Sequence, residues 1–266
     1  MKISIIIPTY KPGDYIWECL DSLEVQTFSK EAFEVILVLN GCKEPYYSKL
    51  KEYIAKSAVQ YNFIQTDEGG VSNARNIALD NAKGEYITFI DDDDFVSPSY
   101  LEELYAKSSV DTMTLCYVKA FTDGTDYFYK YSISYEYDRC SKRGKQRFYI
   151  AKKFFSGTWM KLIHRDIIGD RRFDVLFKNG EDSLFMFLIS NRFKYVDFTS
   201  SSAVYFRRYR LNSAVTRKRS FGERLGNSTK LMIEYTRIYV KHIFDYNVWF
   251  YVARLLGTIK SIFSYN

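Results

Sequence analysis

Gly84-Glu85-Tyr86-Ile87-Thr88-Phe89-Ile90-Asp91-Asp92-Asp93-Asp94 is the stretch that decides the fold. Tyr86 to Ile90 are all apolar, aromatic or β-branched, the composition of a short buried strand. Such a strand delivers four carboxylates to its own C-terminal end. Like charges this close repel and raise one another's pKa unless a cation stands between them, so the run calls for a divalent metal with oxygen ligands. Most charge runs are only solvated loops. Here position favours a functional role, because the carboxyl edge of a parallel sheet is where open α/β proteins bind ligands.

Two other uses of the acidic run can be checked against its spacing. A calcium loop of EF-hand type beginning at Asp91 would need an oxygen ligand at Phe95 and a glycine at Val96, so it fails despite Glu102 in the twelfth position. A haloacid-dehalogenase-like phosphotransferase would also place Asp91-x-Asp93 after a strand. It matches only in part, since Phe95 stands where a small or β-branched residue is expected and the strand is not the first of the chain.

Upstream, strand and helix alternate. Ile3 to Ile7 is a continuous β-branched run typical of a strand buried on both faces, and Pro8 is expected to end its ladder. Ile16, Leu20 and Leu23 recur at helical spacing behind Asp14 as N-cap. Phe33 to Leu39 is a second buried strand, stopped at Asn40-Gly41; a helix from about Tyr46 to Ala58 and a short strand from Tyr61 to Gln65 follow. Gly69-Gly70 then opens a helix through Val71 to Leu79, and a glycine turn before a helix offers free N–H groups to an anion. This alternation predicts an α/β fold with a mostly parallel sheet and right-handed crossovers.

At 266 residues the chain can bury a sizeable core, and 47% hydrophobic with 26% charged residues is ordinary for a soluble globular protein. The aromatic share of 18% is high and clusters after residue 115. The net charge of +6 arises mainly from Lys and Arg between Arg139 and Lys241, which suggests an anionic partner, phosphates or an acidic membrane surface. Cys19, Cys42, Cys116 and Cys140 have no metal spacing and read as reduced thiols of a cytoplasmic protein. No secretory leader is expected, because Met1-Lys2 runs straight into a strand. The longest apolar stretch, Val248 to Phe263, is broken by Arg254 and Lys260 and falls short of a membrane span. His164 and His242 are too few and isolated for a zinc site.

After one further strand, Thr112 to Phe121, the pattern changes. Tyr127 to Tyr137 alternates over part of its length and is dense in tyrosine, which reads as an antiparallel excursion, as ordinary packing or as a wall that stacks on sugar rings. Phe155 to His164 returns to the core, Asn179-Gly180-Glu181-Asp182-Ser183 opens a helix, and Ala203 to Tyr209 is strand-like. Two amphipathic, basic and aromatic helices are expected from Phe221 to Asn266, as a cap on the core or an interfacial membrane contact.

Taken together, Pro8-Thr9-Tyr10, the Gly70 to Ala78 segment, Gly84 to Asp94, Trp159 to Leu162 and Gly180-Glu181-Asp182 occur in the order found in one family. The chain resembles the family-2 glycosyltransferases of GT-A fold, in the bacterial branch that builds surface polysaccharides. The matches span roughly residues 2 to 216.

The resemblance implies a GT-A domain over residues 1–217, with a donor half (1–110) and an acceptor half (111–217), followed by a helical extension over 218–266. It implies a nucleoside pocket at Pro8, Thr9 and Tyr10, a donor pocket that includes Arg75, ribose contact at Asp92, support from Asp91, and Mn²⁺ or Mg²⁺ held by Asp93 against the donor diphosphate. Asp182 matches the catalytic base, with Glu181 beside it positioning the acceptor. Where the family usually has two aspartates after its second strand, this chain has Leu39-Asn40, and the Asn40 amide would meet the uracil edge without charge. Arg207, Arg208, Ser213 and Thr216 fall where the family often has a loop over the diphosphate. The implied reaction is metal-dependent, inverting transfer from a UDP-linked sugar to a hydroxyl of a glycan or lipid-linked acceptor. It would take place in the cytoplasm or on the inner membrane face and involve no nucleic acid. The alternatives are a phosphotransferase with Asp91 as nucleophile, or a catalytically inactive nucleotide-binding assembly protein.

Overall fold

β1 (Ile3–Thr9) and β2 (Phe33–Asn40) are buried at every position, which is why their sequences run apolar without alternation. The computed structural model describes residues 1–210 and 219–263. α1 (Tyr15–Glu24), α2 (Tyr46–Ile54), β3 (Gln60–Thr66), α3 (Val71–Asn81) and β4 (Tyr86–Phe89) complete the first half, with β1 parallel to both β2 and β4, and β2 parallel to β3. β1 keeps its register with β2 to Thr9, so Pro8 lies within the ladder and does not end it. Asp14 occupies the cap position of α1, but its side chain makes no capping hydrogen bond. Gly84 precedes β4 because nothing larger fits there: a Cβ would lie 2.3 Å from the Ser4 nitrogen.

The second half runs through β5 (Phe95–Val96), α4 (Tyr100–Lys107), β6 (Thr112–Leu115), β7 (Tyr117–Thr122), β8 (Phe128–Tyr129), α5 (Ser132–Ser141) and β9 (Gln146–Arg147). A kinked 3₁₀ segment (Phe148–Ser156) leads to β10 (Lys161–His164), α6 (Arg165–Ile168), α7 (Glu181–Leu188), β11 (Tyr195–Phe198) and β12 (Val204–Tyr209). The main sheet has eight strands in the order β3-β2-β1-β4-β10-β6-β11-β9, and a smaller sheet has the order β5-β12-β7-β8. The architecture is α/β with a mostly parallel central sheet; β10 runs antiparallel to both of its neighbours.

Two expectations change here. Thr112 to Phe121 is two strands, because the chain leaves the main sheet at Cys116, whose N–H donates to the Met160 carbonyl, and enters the smaller sheet at Tyr117. Tyr127 to Tyr137 forms only the two-residue β8 before turning into α5, where Ser134, Tyr137 and Cys140 are buried at three-residue spacing. The period-two spacing of tyrosines from Tyr127 to Tyr131 ends where the Tyr131 N–H donates to Ser134 Oγ at 3.1 Å and the helix starts.

α8 (Phe221–Lys241) and α9 (Val248–Phe263) form a hairpin packed on α7 and the 3₁₀ segment. Leu231, Tyr235, Ile238 and Phe250 join the common core, with the Tyr235 and Phe250 rings 5.2 and 5.8 Å from that of Phe187. No helix among the described residues is long and apolar enough to cross a membrane.

Candidate active site

The C-terminal ends of β1, β2 and β4 meet at one edge of the main sheet and are laced by side chains. Thr9 Oγ1 donates to Asp92 Oδ2, and Asn40 Nδ2 donates 2.8 Å to the Thr9 carbonyl. Asn40 Oδ1 accepts from the Gly70 N–H at 2.9 Å, which fixes the turn that opens α3. Asn40 is thus buried with its acceptor and one N–H already used by the backbone. Above this edge lies a cleft of about 1040 Å³ lined by Pro8, Thr9, Tyr10, Asn40, Arg75, Asp91, Asp92, Asp93, Glu181 and Asp182, so residues from positions 8 to 182 converge on it. Tyr10 is half-exposed at its rim.

Arg75, buried on α3, joins the two halves of the cleft. Its Nη2 donates to Asp91 Oδ1 at 3.1 Å, and its Nη1 donates to Asp182 Oδ1 at 2.6 Å with Glu181 Oε1 3.9 Å away. The guanidinium also sits over the Phe173 ring at 5.3 Å. Glu181 and Asp182 occupy the first turn of α7, where the helix dipole favours negative charge.

The smaller sheet supplies the counter-charges. Arg208 donates to the Asp93 carbonyl at 2.8 Å and bridges Glu18 and Asp123, while Arg210 donates to Asp93 Oδ2 at 2.7 Å. Asp94 is buried, taking hydrogen bonds from the Tyr205 hydroxyl and the Arg208 N–H at 2.7 Å each. Arg207 stacks among the rings of Tyr131, Trp159 and Tyr209 at 5.6, 5.2 and 5.0 Å. Tyr131 thereby lines the cleft from the N-cap position of α5, just past the short strand β8. Lys161 is fully buried, and its Nζ donates to the carbonyls of Phe154 and Trp159 at 3.0 Å each and to that of Gly157.

Burial, with repulsion from Asp93, pushes the Asp92 carboxyl up to about 7. Burial and the adjacent Asp182 raise Glu181 to about 7, and burial draws Lys161 down to about 7. Asp93 and Asp182 are also raised by burial, against the opposing pull of Arg210 and Arg75 respectively. An anionic cluster held in this state by burial and mutual repulsion is a place where added positive charge binds favourably.

His164 lies at the opposite end of β4, paired with Tyr86, where its Nδ1 accepts from the Asp166 N–H; it is a structural cap on α6. Ser213 and Thr216 lie outside the described residues. Lys161, Tyr205 and Arg210 were not singled out from the sequence. Lys161 lies within the Trp159 to Leu162 block and Arg210 in the basic run after β12, but their partners are set by the fold alone.

The family model of Glycosyl transferase family 2 matches residues 4–172. The poly(ribitol-phosphate) beta-N-acetylglucosaminyltransferase TarS of Staphylococcus aureus is 36% identical over 106 residues, which are 40% of this chain and 18% of TarS. The minor teichoic acid biosynthesis protein GgaB of Bacillus subtilis is 30% identical over 198 residues, 72% of this chain and 21% of GgaB. The chain thus spans about a fifth of the length of these two relatives. A solved structure of S. aureus TarS 1–349 with UDP-GlcNAc superposes with a TM-score of 0.74 at 23% identity, covering 99% of this chain and 73% of that one, so the two share a fold.

Proposed function

The chain belongs to glycosyl transferase family 2, and from that premise we propose that it moves a sugar from a UDP-linked donor to a hydroxyl of a glycan or lipid-linked acceptor in the synthesis of a bacterial surface polysaccharide. The observation that carries this is the Asp91–Arg75–Asp182 chain of ion pairs, which joins the acidic strand end to a carboxylate at the head of α7 within one cleft. The names of TarS and GgaB and the UDP-GlcNAc bound in the TarS structure support the substrate class.

In this reading the donor nucleoside lies over Pro8, Thr9 and Tyr10. Thr9 fixes the Asp92 carboxylate that faces the ribose, and the Asn40 N–H not used by the backbone meets the base. The carboxylate donor set fits a hard divalent cation, Mn²⁺ or Mg²⁺, with Asp93 as the protein ligand and Asp91 as support. Among the described residues no group of three or more His, Cys, Asp or Glu side chains could hold a metal, and Asp93 is the side chain that would hold the ion. When bound, the ion stabilises the negative charge that gathers on the departing diphosphate.

Asp182 takes the proton of the acceptor hydroxyl, which is worth roughly two to four decades of rate. Arg75 opposes the rise in pKa that burial imposes on that carboxylate, and Glu181 orients the acceptor. A single displacement assisted by one base inverts the anomeric centre, so an α-linked donor gives a β-linked product. The phosphotransferase alternative gives way to the family match over residues 4–172. The division into a donor half (1–110), an acceptor half (111–217) and a helical extension belongs to the same proposal, as does a cytoplasmic location with peripheral contact at the inner membrane face.

Incubation with a panel of nucleotide sugars, with and without Mn²⁺, tests the proposal. Mn²⁺-dependent turnover of a UDP-sugar is expected. Metal-independent nucleotide release, or no donor binding at all, contradicts it.

A further inference from the structure

Residues 221–263 lie outside the stretch matched by the family model, yet they bracket the turn that carries Glu181 and Asp182. On the N-terminal side, Asn227 Nδ2 donates 3.1 Å to the Asn179 carbonyl. Leu231 packs so closely on Gly180 that a Cβ there would come within 2.6 Å of its Cδ1, and Gly180 has φ +82°. On the C-terminal side, Ser183 Oγ is 2.8 Å from the Tyr235 hydroxyl and accepts from Arg254 Nη1 at 2.8 Å.

Arg254 reaches further. Its Nη1 also donates to the Phe155 carbonyl at 3.0 Å and its Nη2 to the Lys152 carbonyl at 2.8 Å. These carbonyls belong to the segment that leads to Thr158, whose backbone N–H helps to hold down the pKa of the Asp182 carboxyl. The Arg254 side chain is thus tied to both pieces of backbone that flank the Asp182 carboxylate. Arg254 is only 9% exposed, and its acceptors named here are neutral oxygens. Burying a guanidinium among neutral partners costs stability, and what it yields is fixed geometry.

We propose that the α8–α9 hairpin is a positioning element of the acceptor side of the cleft: Arg254, with Tyr235, fixes Ser183 and the 152–158 segment. The hairpin thereby sets the direction in which Asp182 presents its carboxylate beside Arg75. The proposal rests on the reading of Asp182 as the base. The charged groups around Asp182 are Arg75, Asp91, Glu181 and Lys161, and the variants below alter none of them.

The test uses the full chain labelled with ¹³Cγ-aspartate, with the Asp182 resonance identified by its loss in Asp182→Asn. In Arg254→Met, and independently in Tyr235→Phe and Ser183→Ala, the Asp182 titration midpoint is expected to move by at least about half a pH unit. Amides of residues 178–186 are expected to exchange at least about tenfold faster while those of α3 keep their protection. Arg254→Lys is expected to recover part of the shift. Asp182 titrating as in the wild type in variants that stay folded overturns the proposal, and so does equal loosening of α3. If Arg254→Met does not fold, the two hydroxyl deletions decide the matter. The reading of Asp182 as base fails separately, if Asp182→Asn retains turnover of UDP-sugars.

Discussion

Four adjacent aspartates end up with four different surroundings. Asp91 is paired with Arg75, Asp92 with the Thr9 hydroxyl, Asp93 with Arg210, and Asp94 is sealed between Tyr205 and the Arg208 N–H. The number and order of the carboxylates were legible in the sequence. Their partners were not, because Arg210 lies 117 positions from Asp93 and Tyr205 lies 111 positions from Asp94. Glu181 yields a prediction at this scale. Its folded pKa of about 7 stands above the ordinary 4.5, so between those values the folded chain holds a proton that the unfolded chain has released. The stability this confers is present below about 4.5 and lost as pH rises through 7. Glu181→Gln removes the dependence. The variant's melting temperature minus that of the wild type, followed by calorimetry without divalent ions, is therefore expected to grow between pH 4.5 and 7 and level off above. A flat difference across that window contradicts the account.

Among the elements, the continuously apolar strands β1 and β2 and the helices with a clear period were readable, since burial on both faces leaves an unmistakable pattern. The smaller sheet was readable only in part: β12 and most of β7 fall within strands read from the sequence, but β5 and β8 have two residues each, and the pairing of β12 is with neighbours far away in sequence. α5 was hidden by tyrosines whose alternation imitates a strand. α9 carries a prediction of its own. Val248, Trp249, Val252, Leu256, Ile259 and Phe263 are exposed along one stripe, and the hairpin also bears Lys230, Arg237, Lys241 and Lys260. An amphipathic face with that charge suits an anionic bilayer. Sedimentation with phosphatidylserine vesicles at low salt should recover the protein, and Trp249→Ser with Leu256→Ser should weaken recovery at least about tenfold. If the wild type stays in the supernatant, the membrane contact is wrong.

For the molecule as a whole, the cleft exists because two layers meet over one sheet edge. The first half brings the acidic strand end, and the second brings β12 with its arginines and α7 with Asp182, while Arg75 reaches across. This division predicts separable losses. Asp93→Ala should lose the Mn²⁺-dependent part of UDP binding, whereas Asp182→Ala should keep UDP affinity and lose roughly two to four decades of turnover. Calorimetric titration of both variants with UDP, with and without Mn²⁺, measures the first half of that contrast directly. The account predicts wild-type UDP affinity for Asp182→Ala and weakened, Mn²⁺-insensitive affinity for Asp93→Ala; equal affinity and equal Mn²⁺ response in the two variants would contradict it.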